Sequence, residues 1–369
     1  MKLDILSSNI KLYRSMKRLT QAELSRLSGV SLPTIKNIER KKALPRTNTL
    51  MALSKALDCK LHDLVRPVGE LSLVRFRASR KLNRREQILT QVSTWLNNFT
   101  FLEELLSDKK EYTLSSLAQN SNGYSPIQYA EIARKVLLLK ADEPIDDICG
   151  LLEHCGIKIL LLSYASDSFN GLSVNDTKKG PAIVVNTWER ISIERQIFST
   201  AHELGHLLMH LFDYDGSSRP EDAIQEMEAD LFAGYFLMSE QGFNTEWEDT
   251  AGLPFVDRIM KIKSIFKVSY KTVLYRLKQK GIVDDQIWLR FQKLYEIRYN
   301  KKLTYKEEPS PEGSEPFGLA PFEFHAGRLS RLVRRAVQEE KISLPRAAEI
   351  LNLTSEKMIE RIAEWEELA

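Results

Sequence analysis

His202-Glu203-Leu204-Gly205-His206 places two imidazoles and a carboxylate on about one turn of a helix. Residues four apart on an α-helix sit about 40° apart around the axis and roughly 6 Å along it, so both rings reach one ion. Glu203 follows the first imidazole and is free to act as general base toward an attacking water. Three of the six histidines, His202, His206 and His210, fall within nine residues. Around them Ile193, Ile197, Ala201, Leu204, Leu208 and Leu211 recur at three- and four-residue steps, which predicts a long helix with a core-facing stripe. His210 lies about 12 Å beyond His202 along that axis, too far to share its ion. A third histidine ligand would be needed at position 212, where this chain has Phe212. The expectation for His210 is contact with backbone carbonyls near the helix end.

A third ligand is offered by Glu226-Met227-Glu228-Ala229-Asp230, after a polar stretch from Asp213 to Pro220 that reverses the chain between two helices. Glu226 and Glu228 are about 200° apart on a helix and cannot both face one ion, whereas Glu226 and Asp230 share a face. Glu226 is therefore the expected ligand. Asp230 is the expected acceptor for the free N–H of a ligating histidine, and Glu228 a solvent-facing or structural residue. Two histidines and a glutamate suit zinc, with manganese as the alternative. Tyr235 is a candidate donor to a developing oxyanion, or equally a core residue of the same helix.

Three short apolar runs precede the metal-binding helix: Ile157 to Leu162, Gly171 to Val174 and Ala182 to Asn186. A further strand is expected at Leu71 to Phe76, and helices at Arg84 to Leu117, Ile127 to Leu139 and Ile145 to Cys155. A small sheet beside such a helix is what a zincin needs, because an edge strand holds an extended peptide by main-chain pairing. The stretch KEEPSPEGSEPFGLAP (306–321) reads as linker. Gly327 to Glu340 and Pro345 to Leu368 read as amphipathic helices, suited to packing or oligomerisation, and His325 as a surface residue.

Charge separates the amino-terminal end from the rest. Residues 1–66 hold 14 Lys+Arg against 5 Asp+Glu, a net +9 in a chain of +3. That is the electrostatic footprint of a small nucleic-acid-binding module on a mildly acidic body. Thr20-Gln21-Ala22-Glu23 is a capping box opening a helix with Leu24 and Leu27 inward. Gly29 makes the turn, and Ser31 caps a second helix with Pro33 in its first turn and Ile35 and Ile38 facing the core. With LTQAELSRLSGVSLPTIKNIE, Pro45, and the later Leu50, Leu53, Ala56, Leu57, Leu61 and Leu64, residues 8–65 resemble the Cro and phage-repressor (XRE) family. The resemblance implies that the second helix enters the major groove, with Ser31 among the DNA-binding residues and Leu32, Pro33 and Asn37 toward base edges. It further implies Lys36 near the duplex backbone and Gln21 on a phosphate. Leu32 and Pro33 depart from the amide-rich pattern and offer apolar contact only.

The stretches Arg195 to His206 (RQIFSTAHELGH), Glu226 to Ala233 (EMEADLFA) with Leu237-Met238, and Phe266 to Leu277 (FKVSYKTVLYRL) resemble the ImmA/IrrE family of zinc metallopeptidases. The resemblance implies regulated cleavage of a repressor, relieving transcription after stress or mobile-element induction. The expected fold is mostly α with a small β-sheet (α+β). An all-α helix-turn-helix domain spans 1–66 and a connector with a helical segment 67–124. A zincin-like metallopeptidase domain spans 125–300, a linker 301–321 and a C-terminal helical domain 322–369. The expected function is a DNA-binding transcriptional regulator whose zinc endopeptidase cuts a repressor, its own chain or a partner. The alternative is a non-proteolytic regulator whose metallopeptidase-like domain is sensor or scaffold. Its partners are a double-stranded DNA operator, a protein substrate and a second copy in a homodimer. Cys59, Cys149 and Cys155 are too few and too scattered for a disulfide framework. With no signal segment and no run of 18 apolar residues, a bacterial cytoplasm without membrane attachment is expected.

Overall fold

The computed structural model describes residues 3–17, 19–59, 61, 64, 74–78, 85–119, 123–166, 168–210, 222–303 and 316–367. The expected chain reversal at Asp213 to Pro220 and most of the expected linker lie outside them. The chain divides into two compact units, Met1–Leu71 with Leu82–Asn97, and Ser72–Lys81 with Asn98–Ala369. The fold is mostly helical with one small sheet, as the periodicity predicts.

The first unit contains α1 (Leu3–Met16), α2 (Gln21–Ser28), α3 (Leu32–Glu39) and α4 (Thr47–Leu57). Its local signals agree with its structure. Thr20 and Glu23 form the reciprocal capping box of α2, Gly29 takes the left-handed conformation at φ 68°, and Ser31 caps α3 by accepting from Thr34 N–H. Leu6, Ile10, Leu24, Ile35, Ile38, Leu50, Leu53, Leu57 and Leu64 form its core. Leu27 does not join it: it is 56% exposed, against 0% for Leu24. On a helix of two turns only a narrow stripe meets the other helices, and Leu24 fills it. Leu61 is likewise on the surface.

In the second unit four strands form one sheet in the order β1-β3-β4-β2: β1 (Val74–Ala78), β2 (Lys158–Leu162), β3 (Phe169–Asp176) and β4 (Gly180–Asn186). β3 runs antiparallel to both neighbours and β2 parallel to β4. Helix α5 (Arg85–Leu105) passes from the first unit into the second at Asn97/Asn98. The next helices are α6 (Ser115–Gln119), α7 (Pro126–Val136) and α8 (Ile148–His154), and after the sheet come α9 (Ile193–Met209) and α10 (Ala223–Leu237). Helices α11 (Glu240–Asp249), α12 (Phe255–Phe266), α13 (Tyr270–Gln279) and α14 (Ile287–Tyr299) complete this part. α9 packs beneath β3 and β4 and alongside α10. Ile197, Ala201, Leu204 and Leu208 enter the main core from α9, as the stripe predicts.

The carboxy-terminal helices α15 (Arg328–Gln338), α16 (Leu344–Leu351) and α17 (Ser355–Glu367) belong to this same compact unit rather than standing apart. Buried charges fasten them. Glu153 of α8 accepts from the N–H groups of Gly327 and Arg328 at the start of α15, and Arg328 pairs with Glu103 at 2.7 Å. Glu103 also pairs with Lys158 of β2 at 2.9 Å, all three side chains being buried. Where linker was expected, Leu319 N–H donates to Glu194 and Phe317 C=O accepts from Lys263. Glu194 and Lys263 are themselves a buried pair at 2.6 Å. Composition marks that stretch as irregular chain, but its backbone groups are needed as partners for charges that burial would otherwise leave costly.

Candidate metal centre and DNA-facing helix

Two helices bring the candidate ligands together. Ser192 caps α9 and Asp222 caps α10, so each begins at a defined residue and its register is set. Gly205, between the two histidines, lets the helices approach. A Cβ there would lie 2.9 Å from Phe232 and 3.4 Å from the α-carbon of Ala229. The far end of α10 is held by two buried arginines. Arg134 donates to Phe236 C=O, and Arg276 donates to the C=O of Gly234 and of Met238. Cations on the last carbonyls of a helix satisfy groups that have no partner within it.

His202, His206 and Glu226 converge in consequence. The two Nε2 atoms are 2.9 Å apart. Glu226 Oε2 is 3.3 Å from that of His202 and Oε1 is 3.2 Å from that of His206. Four ligands at about 2.0–2.1 Å around a tetrahedral ion are separated by about 3.3 Å. The three donor atoms therefore mark one face of such a tetrahedron, and the residues fit a metal of that kind with a fourth position left open. Both histidines are fully buried, while the Glu226 side chain is 17% exposed. Burial works to raise the Glu226 pKa. Hydrogen bonds and charge from His202 and His206 outweigh it and hold the carboxylate well below its usual range.

The atoms behind the ligands have partners. A neutral His202 that presents Nε2 carries its proton on Nδ1, which lies 2.7 Å from Asp230 Oδ1, the partner that helix spacing predicts. The support for His206 is different from expectation. His210 does not turn to the helix-end carbonyls; its Nδ1 is 2.9 Å from His206 Nδ1 and its Nε2 is 2.9 Å from Glu228 Oε2. One assignment of protons satisfies the chain: His206 Nδ1–H donates to His210 Nδ1, and His210 Nε2–H donates to Glu228. Glu228 thus has a defined partner. His210 sits four residues after His206, so the spacing was a visible signal for this contact, but its meaning depended on where α10 lies.

Glu203 is 1% exposed, and it packs against β3. A Cβ built on Gly171 would lie 3.3 Å from Glu203 Oε1. Tyr235 stands about 13 Å beyond Glu226 along α10, and its ring is covered by the Arg276 guanidinium at 3.6 Å. It packs the helix end and does not face the ligands. His325 is exposed, as expected.

On α3 the side chains of Ser31, Pro33, Lys36 and Asn37 are exposed and Leu32 is half-buried. Gln21 has a partner inside the unit: its amide donates to Glu39, which also binds Arg14 through two hydrogen bonds. This braces α1, α2 and α3 against one another.

The sequence family of the IrrE N-terminal-like domain matches residues 152–278, spanning both ligand helices. The helix-turn-helix family matches residues 10–64. The control protein C.SmaI of Serratia marcescens is 33% identical over 66 residues, 18% of this chain and 79% of that protein. The chain belongs to the XRE-type helix-turn-helix family and carries, over residues 152–278, a peptidase-like domain similar to the IrrE N-terminal domain. It is a DNA-binding regulator by its first unit, with a peptidase-like second unit in which His202, His206 and Glu226 form a cluster able to hold a metal ion. Among its described residues no helix is long and apolar enough to cross a membrane.

Proposed function

We propose that this regulator is a zinc-dependent endopeptidase that cuts a repressor, its own chain or a partner, in response to stress or a mobile-element signal. The observation that carries the reading is the tetrahedral spacing of His202, His206 and Glu226, with the buried Glu203 next in the helix to His202. Zinc held by those three residues, or manganese in its place, would supply Lewis acidity toward a peptide carbonyl and the attacking water. Glu203 takes the proton of that water and returns it to the departing amine. Asp230 orients His202; His210 and Glu228 orient His206. A structural site has no use for a base; the buried carboxylate of Glu203 favours hydrolysis.

In the first unit, α3 is the proposed reading helix, working as one half of a homodimer on paired half-sites in a bacterial cytoplasm. Asn37 makes a paired contact to adenine, Ser31, Leu32 and Pro33 line the base edges, and Lys36 and Gln21 meet the backbone. Gln21 keeps one amide N–H for a phosphate while the other holds Glu39. The reading is tested by incubating the protein with zinc or manganese and a purified XRE-type repressor as candidate substrate, with its own chain followed in the same reaction. Cleavage by the unaltered protein and a loss of roughly 10²–10⁴-fold in Glu203→Gln are expected. Equal fragments from both would remove the enzymatic claim. Metal binding without cleavage would leave a sensor or scaffold attached to a DNA-binding module.

A further inference from the structure

β3 is the strand against which Glu203 packs, at Gly171. One edge of β3 pairs with β4. The other would be an open row of N–H and C=O groups beside the candidate site, the kind of edge to which an extended peptide adds. That edge is taken by β1, a five-residue strand from the stretch of sequence between the helix-turn-helix and peptidase-like parts. β1 is antiparallel to β3, with Val74 opposite Val174, Arg75 opposite Ser173, Phe76 opposite Leu172 and Arg77 opposite Gly171. The backbone of Arg77 therefore runs one strand spacing, about 4.8 Å, from the residue that abuts Glu203.

The register then shifts: Ala78 faces Phe169, and Asn170 is left over on β3. Asn170 Oδ1 is buried with no hydrogen-bond partner. It lines a cleft of about 290 Å³ together with Arg195, Ser199, Thr272 and Asp230, the partner of His202. The pairing of β1 thus slips out of step where a cavity with a spare acceptor opens next to the metal ligands.

We infer that β1 is an internal guard strand seated in the peptide-binding edge of this site. The substrate class follows: an extended peptide that adds antiparallel to β3 once β1 has left, one of its backbone N–H groups donating to Asn170 Oδ1. This rests on the peptidase reading, so the test is built to fail separately from it. The full chain carrying Glu203→Gln is used, with no metal added. A labelled peptide of residues 71–79 is titrated into it with and without Arg75→Pro plus Phe76→Pro, which remove ladder donors from β1 whichever way its N–H groups alternate. The proline form is expected to bind the peptide at least tenfold tighter. Its amides at 169–176 should exchange faster, and the added peptide should slow them again. Equal peptide binding by both forms, or equal exchange at 169–176, would overturn the guard strand.

A second variant keeps the native pairing. Arg75→Cys with Ser173→Cys locks the opposed positions by a disulfide; oxidation should abolish peptide binding and reduction should restore it. Binding that ignores the lock would also overturn the proposal. So would cleavage of the zinc-loaded unaltered chain between Val74 and Ala78, which would make β1 a substrate. Peptide binding released by the prolines, with no cleavage by protein that retains Glu203, would keep the guard strand and remove the peptidase.

Discussion

Helices α3 and α9 carry the candidate functional residues of their units, and they treat water in opposite ways. Ser31, Pro33, Lys36 and Asn37 of the α3 region project into solvent, and the apolar side of that helix is reduced to Ile35 and Ile38. His202, Glu203 and His206 of α9 are all within 1% of complete burial. A surface that reads a polymer has to project from the fold, and it can be rigid with little more than two apolar contacts behind it. A site that activates water has to exclude bulk solvent and hold each buried polar atom with a partner. The first demand is met by local capping and a short core. The second requires a second layer: Asp230, His210 and Glu228 behind the ligands, and Arg134 and Arg276 behind the helix that delivers Glu226.

The contrast can be broken most sharply at Leu24. Leu24→Ala should cost the first unit about 2–5 kcal/mol in denaturant unfolding, while Leu27→Ala should stay within about 0.5 kcal/mol. Comparable losses at both would mean that Leu27 is buried in solution. Next in size is Asn37→Ala. If α3 reads bases, operator affinity should drop by about 1–3 kcal/mol with the preference at one base pair relaxed. A uniform drop across operator variants, seen by gel shift, would instead assign Asn37 to the DNA backbone. The smallest effect probes the buried layer. His210→Ala and Glu228→Ala should each weaken zinc binding by about 10–100-fold in a chelator competition, and the double variant should lose less than the two losses multiplied. Independent losses would show that His210 and Glu228 do not act on His206 as one chain.

Much of this was legible because it is local. The capping box at Thr20, the left-handed turn at Gly29 and the cap at Ser31 involve residues within a few positions of each other, so their chemistry is written in short strings. The pairing of Glu226 with Asp230 on one helical face follows from 3.6 residues per turn. Other positions misled for the opposite reason. Leu27 has the right spacing to be inward, yet among the described residues no helix covers it. Tyr235 has a useful hydroxyl, yet Arg276 lies over its ring. The Pro- and Glu-rich stretch before α15 reads as free linker, yet Leu319 and Phe317 give their backbone groups to Glu194 and Lys263.

What the amino-acid order determined alone is therefore α2 and α3 with their caps, the apolar stripe of α9, the charge of the first unit and the two helix faces that carry the candidate ligands. Each depends on periodicity and on contacts a few residues long. The tertiary fold decided how near α9 comes to α10 and which groups stand behind each imidazole. It also decided which strand covers the edge at Gly171. Those are distances between segments far apart in the chain, set by a missing side chain at Gly205 and by the packing of β3 over α9, and no repeat within a single element encodes them.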